Sequence, residues 1–255
     1  MQRRRGAWYP VARVSRPYAS LHPGHETWRH KVRRPDGVVV LASGGLDSAV
    51  LVGRMARLGR EVLPLFVRGG LVWEAAELVA LRRFLRALPR DLAARIGPVK
   101  VVRLGLADLY GRHWSTTGKG IPAWGATDDS VYLPGRNVAL LTIAAVHAAM
   151  AGVPRVAIGP LHGNPFPDAS PRFFRAMQRA LSEGLDFPVK ILAPFLAMEK
   201  EEVIQLGDGL PLELTFSCSR PRGGNPCRRC AKCRERILAL ARTHRPRGTK
   251  EGRAR

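Results

Sequence analysis

Hydrophobic residues collect in five short runs, at residues 38–42, 62–67, 99–104, 155–159 and 189–193. The first, VVVLA, is unbroken rather than alternating, as expected of a strand buried on both faces of a parallel sheet. Between the runs the period lengthens to that of a helix. Residues 47–59 close on Gly59, suited to a helix C-terminus, and residues 73–88 place Ala76, Val79, Ala80, Arg83 and Phe84 at helical spacing. Residues 137–152 are apolar nearly all round, which predicts a helix packed between a sheet and other elements. Residues 171–184 open with Pro171 at the first turn and end at Gly184. Short strands alternating with helices predict an α/β fold: a doubly wound five-stranded parallel sheet over residues 36–210. Residues 1–35 read as an irregular extension, and there is no internal repeat. In such sheets ligands sit beyond the carboxyl ends of the strands, where successive connections leave in opposite directions.

Composition adds one departure from an ordinary globular chain of 255 residues, a formal net charge of +22. Residues 1–35 carry +8 and residues 220–255 carry +11, leaving +3 for everything between, so the ends are basic and the core is nearly balanced. Basic ends can hold nucleic acid through phosphate contacts. Arg outnumbers Lys 35 to 7 throughout, which favours solvated, Arg-biased ends over a dedicated nucleic-acid site. No apolar run reaches the length of a membrane span and no signal-peptide core is present, so a cytoplasmic protein in a reducing compartment is expected.

The first run ends in SGGLDS, residues 43–48. Gly44 and Gly45 permit backbone angles closed to other residues and close approach of a ligand. The helix that follows points its unpaired N–H groups and positive dipole end at whatever lies there. Ser43 and Ser48 add hydroxyls, and Asp47 adds a carboxylate where a magnesium ion would accompany phosphates. A phosphate or pyrophosphate fits this description, as does a plain strand-to-helix turn capped by Ser and Asp.

All four cysteines lie in one stretch, as Cys218, Cys227, Cys230 and Cys233 with spacing C-x8-C-x2-C-x2-C. Four thiolates suit a closed tetrahedral zinc site, which would be structural, one ion per chain. An iron–sulfur cluster also takes four thiolates, and a disulfide reading would require an oxidising compartment.

SGGLDS resembles the pyrophosphate loop of the ATP pyrophosphatase superfamily, whose fold is of the HUP, adenine nucleotide alpha hydrolase-like type. Together with the cysteine spacing, the chain over residues 37–240 resembles 7-cyano-7-deazaguanine synthases of the QueC type. YLPGRN (residues 132–137), NPFPDASPRFFRAM (164–177), APFLAMEKEEVIQLG (193–207) and TFSC (215–218) are similar to segments of that family. The resemblance implies an ATP-dependent carbon–nitrogen ligase of queuosine and 7-deazaguanine biosynthesis. Such an enzyme converts 7-carboxy-7-deazaguanine and ammonia to the nitrile through adenylated intermediates. It implies ATP binding by Ala42, Ser43, Gly44, Gly45, Leu46, Asp47 and Ser48, with Asp47, Ser48, Arg136, Asp168 and Lys200 in catalysis. It also implies Mg2+ with ATP, structural Zn2+ on a segment (residues 211–242) packed against the same domain, a basic tail over residues 243–255, and a homodimer.

The resemblance has gaps. Where family members usually carry D-Y-G-Q-x-H, this chain reads FVRGGLVWE over residues 66–74. Ala169 replaces the usual cysteine after the aspartate, and Phe166 replaces the tyrosine before the proline. The alternative is therefore a divergent relative that adenylates another carboxylate, or that joins a deazaguanine to another amine or a protein. His113, His162 and Trp124 read as ordinary loop residues.

Overall fold

The computed structural model describes residues 32–243. The basic extension expected over residues 1–35 and the tail over 243–255 therefore fall almost wholly outside the described residues.

Five strands form one all-parallel sheet: β1 (Gly37–Leu41), β2 (Glu61–Arg68), β3 (Lys100–Arg103), β4 (Arg155–Ala157) and β5 (Lys190–Leu192). Each falls within about a residue or two of an expected run, and their order is β3-β2-β1-β4-β5. β1 is buried along its whole length, and its alternate residues feed two cores. Val38 and Val40 point to one face and Val39 and Leu41 to the other. That division explains why the run is apolar without alternation.

The helices follow in chain order. α1 (Leu46–Arg57) crosses from β1 to β2, and α2 (Glu74–Arg86) with the short α3 (Arg90–Ala93) crosses from β2 to β3. Short turns α4 (Leu106–Tyr110), α5 (Trp114–Thr117) and α6 (Asp128–Val131) lead to α7 (Arg136–Ala151), which returns the chain to β4. α8 (Pro171–Leu185) precedes β5, and α9 (Lys200–Leu206) and α10 (Ala231–Thr243) follow it. α1, α2 and α9 cover one face through Leu51, Leu81, Phe84 and Val203, while α7 and α8 cover the other through Leu141, Ala145 and Phe174. Phe84 is fully buried, so truncating it to Ala would cost about 3–5 kcal/mol.

Two expectations about helix faces need correction. Val79 and Arg83 of α2 are exposed; the core face of that helix is Ala80, Leu81 and Phe84. α7 is not sheathed all round, because Val138, Val146 and Met150 remain exposed on its outer side. Its buried side is Leu141 with Ala144, Ala145, Ala148 and Ala149.

From β1 the chain winds outward to β2 and β3, then returns to lay β4 on the other side of β1. The switch point therefore lies beyond Leu41 and Ala157, at the loop that carries residues 43–45.

Candidate active site

A cavity of about 300 Å³ opens at that switch point. Its floor is the end of β1 and β2 with the loop after β4, namely Ala42, Ser43, Leu65, Phe66, Gly159 and Pro160.

The loop over residues 43–48 is closed on itself. Ser43 N donates to Ser48 Oγ at 3.1 Å, Gly45 N donates to Ser43 Oγ at 3.2 Å, and Ser48 Oγ donates to Gly45 O at 3.0 Å. The hydroxyls of Ser43 and Ser48, 3.2 Å apart, thus shape the turn. The N–H groups of Leu46, Asp47 and Ser48 open α1 and have no acceptor within the helix, so they supply the donors at the loop's mouth. Gly44 adopts φ +84°, and a Cβ there would lie 2.3 Å from the carbonyl oxygen of Glu77. The glycine is required by the docking of α2 on the loop rather than by ligand approach. Phe216 N donates to Gly44 O at 2.8 Å, which ties the segment before the cysteines to the same loop.

Asp47 and Lys200, 153 positions apart, meet here. Lys200 Nζ lies 2.7 Å from Asp47 Oδ2 and 2.8 Å from Glu235 Oε1, and Glu235 Oε2 lies 3.0 Å from Lys232 Nζ. Burial works against the Lys200 ammonium, but Asp47 and Glu235 overcome it and hold the group above the usual lysine range. Burial likewise disfavours the Glu235 carboxylate, yet Lys232 and Lys200 bring it down to about 2. Lys200 and Glu235 are therefore both charged at neutral pH. Asp47 Oδ1 is buried and has no hydrogen-bond partner among the described residues. A buried carboxylate oxygen without a partner beside unpaired helix amides is a hard-oxygen donor of the kind a magnesium–phosphate group takes, so the residues present fit that cofactor.

Arg136, the first residue of α7, lines the cavity after a turn in which Gly135 takes φ +69°. Asp168 does not line it. Its buried carboxylate accepts from Asn137 N at 2.9 Å and so caps α7, while Asn137 Nδ2 donates back to Asp168 O at 3.0 Å. The geometry makes Asp168 a support for the segment that presents Arg136 and Asn137. His113 caps α5, His162 pairs with Glu199 at 2.6 Å on the surface, and Trp124 lies under Arg234.

The opposite wall is apolar. Trp73 and Trp114 stack with ring centroids 5.6 Å apart, and both line the cavity with Phe66 and Leu133. Glu74 is buried and accepts from Gly69 N at 2.7 Å and Gly70 N at 3.1 Å, which fixes the turn between β2 and α2. Glu77 and Glu235 also line the cavity and are not singled out by the sequence, and Lys232, which the sequence offers only as a charge beside the cysteines, lines it too. The available signal was spacing: Glu74 with Glu77, and Lys232 with Glu235, each three apart on one helix face.

The sulfurs of Cys218, Cys227, Cys230 and Cys233 lie within 4.8 Å of one another. A tetrahedral metal at the usual Zn–S distance of about 2.3 Å needs sulfurs about 3.8 Å apart. The pairs Cys218–Cys230 and Cys227–Cys233 stand at 4.0 Å. Backbone amides of Ser219, Arg220, Cys227 and Arg229 point at these sulfurs, as they do around thiolates. The donor set fits a metal ion. Cys218 also borders the cavity, so the cluster braces its wall.

A family model described as "Queuosine biosynthesis protein QueC" matches residues 37–244. The chain belongs to the QueC family. Its similar curated relatives include "7-cyano-7-deazaguanine synthase 1" of Desulfitobacterium hafniense (strain Y51), 30% identical over 80% of this chain and 90% of that protein. The "7-cyano-7-deazaguanine synthase" of Anaeromyxobacter dehalogenans (strain 2CP-C) is 32% identical over 80% of this chain and 90% of its own length. Among solved structures, a 4-thiouridine synthetase–RNA complex with bound ATP aligns at TM-score 0.46 and 18% identity, covering 81% of this chain and 50% of that one, too remote to bear on function. Among the described residues of this QueC-family chain, no helix is long and apolar enough to cross a membrane.

Proposed function

We propose that this chain is an ATP-dependent ligase that converts 7-carboxy-7-deazaguanine and ammonia to 7-cyano-7-deazaguanine through adenylated intermediates. The observation that carries the reading is Asp47: one oxygen held by Lys200, the other buried and unpartnered, at the start of a helix on the sheet's switch point. Family membership supplies the substrate class. A carboxylate is a poor electrophile, and transfer of AMP to it creates a leaving group. The substrate carboxylate oxygen attacks the α-phosphorus of ATP and pyrophosphate departs, so the site must hold charge on both sides of the transferred group.

In this reading the backbone of residues 42–48 holds the pyrophosphate end through the amides of Leu46, Asp47 and Ser48. Arg136 stabilises phosphate or substrate carboxylate from across the cavity. Lys200 holds Asp47 in place, and is itself held by Glu235. Asp47 would hold the magnesium ion that accompanies ATP, which neutralises charge building on the departing pyrophosphate. The four cysteines hold one structural zinc, and residues 211–242 pack on the α/β domain of residues 36–210 through it. Asp168 acts by anchoring α7.

The test is purified protein with ATP, magnesium, ammonia and 7-carboxy-7-deazaguanine, followed by mass spectrometry. Sequential appearance of amide and nitrile, each dependent on ATP, is expected. Absence of both, with no substrate-dependent pyrophosphate, overturns the assignment. A second reading is favoured by the wall over residues 66–74, where Phe66 and Trp73 stand and Glu74 is occupied by Gly69 and Gly70. There the same adenylation serves a different carboxylate, or a different amine takes the place of ammonia. Pyrophosphate release with other carboxylates but not with 7-carboxy-7-deazaguanine would select it.

A further inference from the structure

The ligase reading leaves one titratable side chain of the cavity without a task. Glu77 is half-buried on the inner face of α2 and lines the cavity, and its carboxyl group has no hydrogen-bond or ion-pair partner among the described residues. Its place is fixed by the docking described above, since its own carbonyl would meet any side chain added at Gly44. That contact sets the backbone of Glu77 against the loop after β1, and its side chain lines the same cavity as Ser43, Gly45 and Asp47. Arg136 lines this cavity too, and its guanidinium makes no hydrogen bond or ion pair among the described residues.

The proposed chemistry needs such a group. When ammonia attacks the acyl adenylate, its lone pair forms the C–N bond and the C–O bond to AMP breaks, AMP leaving with the electron pair. The nitrogen must then lose one proton to become the neutral amide. One oxygen of Asp47 is ion-paired to Lys200 and the other is assigned above to the magnesium ion, while Glu74 holds two backbone amides, so neither is left to take it. Glu235 is ion-paired on both oxygens. Resting on the ligase reading, we propose that Glu77 is the proton acceptor for the amine nucleophile.

Its surroundings suit the role. Loss of hydration pushes the Glu77 carboxyl up to about 8, against the pull of Arg136, with Glu74 raising it further and Lys232 lowering it. A base tuned near the working pH both collects the proton and returns it to solvent.

The experiment separates adenylation from amide formation with Glu77→Gln and Glu77→Asp. Substrate-dependent pyrophosphate release in a single turnover is read without ammonia, and amide is read with it, at rates normalised to unprotonated ammonia. Glu77→Gln is expected to release pyrophosphate within about threefold of wild type and to form amide about 100-fold more slowly, in the range usual for loss of a general base. Glu77→Asp recovers part of that loss. The wild-type amide rate rises with pH to a plateau above the Glu77 pKa, and the Gln variant loses the rise. Hydroxylamine, a nucleophile that sheds its proton more readily, narrows the gap between wild type and Gln. Amide formation by Glu77→Gln at the wild-type rate, or equal loss of both half-reactions in both variants, overturns the assignment. Absence of substrate-dependent pyrophosphate in the wild-type protein instead brings down the ligase reading and this inference with it.

Discussion

The two walls of the cavity are built by different means. The phosphate wall is a closed polar network: the loop over residues 43–48 bonds to itself, and Asp47, Lys200, Glu235 and Lys232 form an alternating chain of charges. The facing wall is mainly aromatic and aliphatic, with Trp73, Trp114, Phe66 and Leu133; Glu77 and Arg136 line the same cavity, and neither side chain has a hydrogen bond or ion pair among the described residues. Preorganised charges suit a triphosphate, whose chemistry is positioning and charge stabilisation. An apolar wall with few convergent polar groups suits a flat heterocycle, whose binding is burial plus orientation. Residues 66–74, where the sequence reading finds its gap in the resemblance, belong to the second wall, and the loop after β1 to the first.

The largest break in the comparison is Asp47→Ala. It removes the unpartnered oxygen and leaves Lys200 paired with Glu235 alone, and is expected to reduce substrate-dependent pyrophosphate release at least about 100-fold, as for loss of a preorganised electrostatic group. A melting midpoint near that of wild type checks that the fold survives. Turnover within a few-fold of wild type would remove the first wall from the chemistry.

Cys230→Ser tests whether the cysteine segment belongs to that wall. Lys232 and Glu235 reach the network from α10, whose start is set by Cys230 and Cys233. Structural zinc sites in small peptides carry apparent binding energies of about 10–16 kcal/mol, so part of that is lost here as stability and solubility. Elemental analysis should give one zinc per wild-type chain and less in the variant. Iron with visible absorption, or a metal-free chain of unchanged stability, contradicts it.

Gly44→Ala probes the seam between the walls. A positive φ together with a 2.3 Å approach to the Glu77 carbonyl predicts a loss of about 2 kcal/mol or more in chemical denaturation. Both half-reactions should weaken together because α2 must move. An unchanged denaturation midpoint argues against the docking of α2 on the loop.

The smallest effect is expected from Trp114→Ala. An aromatic contact of about 0.5–1.5 kcal/mol predicts a roughly 2–10-fold rise in KM for the carboxylate substrate. The KM for ATP should stay within about twofold; the opposite split would exchange the two walls.

Legibility in the sequence follows the same division. The loop after β1 and the cysteine cluster are local motifs, so six and sixteen contiguous residues carry them. The five strands were readable because parallel strands bury both faces and need unbroken apolar runs. Lys200 was reached through its resemblance to a family segment, since nothing local to residue 200 speaks of Asp47. Glu77 and Glu235 were invisible for the same reason: their place depends on how α2 and α10 dock. Asp168 shows the converse. Its position in a family-like segment suggested a part in catalysis, but its carboxylate accepts from the backbone N–H of Asn137 in the first turn of α7. Whether an aspartate faces ligand or helix depends on the rotation of its segment, which sequence spacing does not encode.

The most direct measurement of the central claim follows the oxygens. 7-carboxy-7-deazaguanine labelled with ¹⁸O in both carboxylate positions is incubated with the protein, ATP, magnesium and ammonia, and AMP is isolated. If the carboxylate and then the amide are activated by adenylation, each oxygen leaves on an AMP phosphate, and AMP carries the label through both steps. Unlabelled AMP, with the label in water or pyrophosphate, would contradict the account.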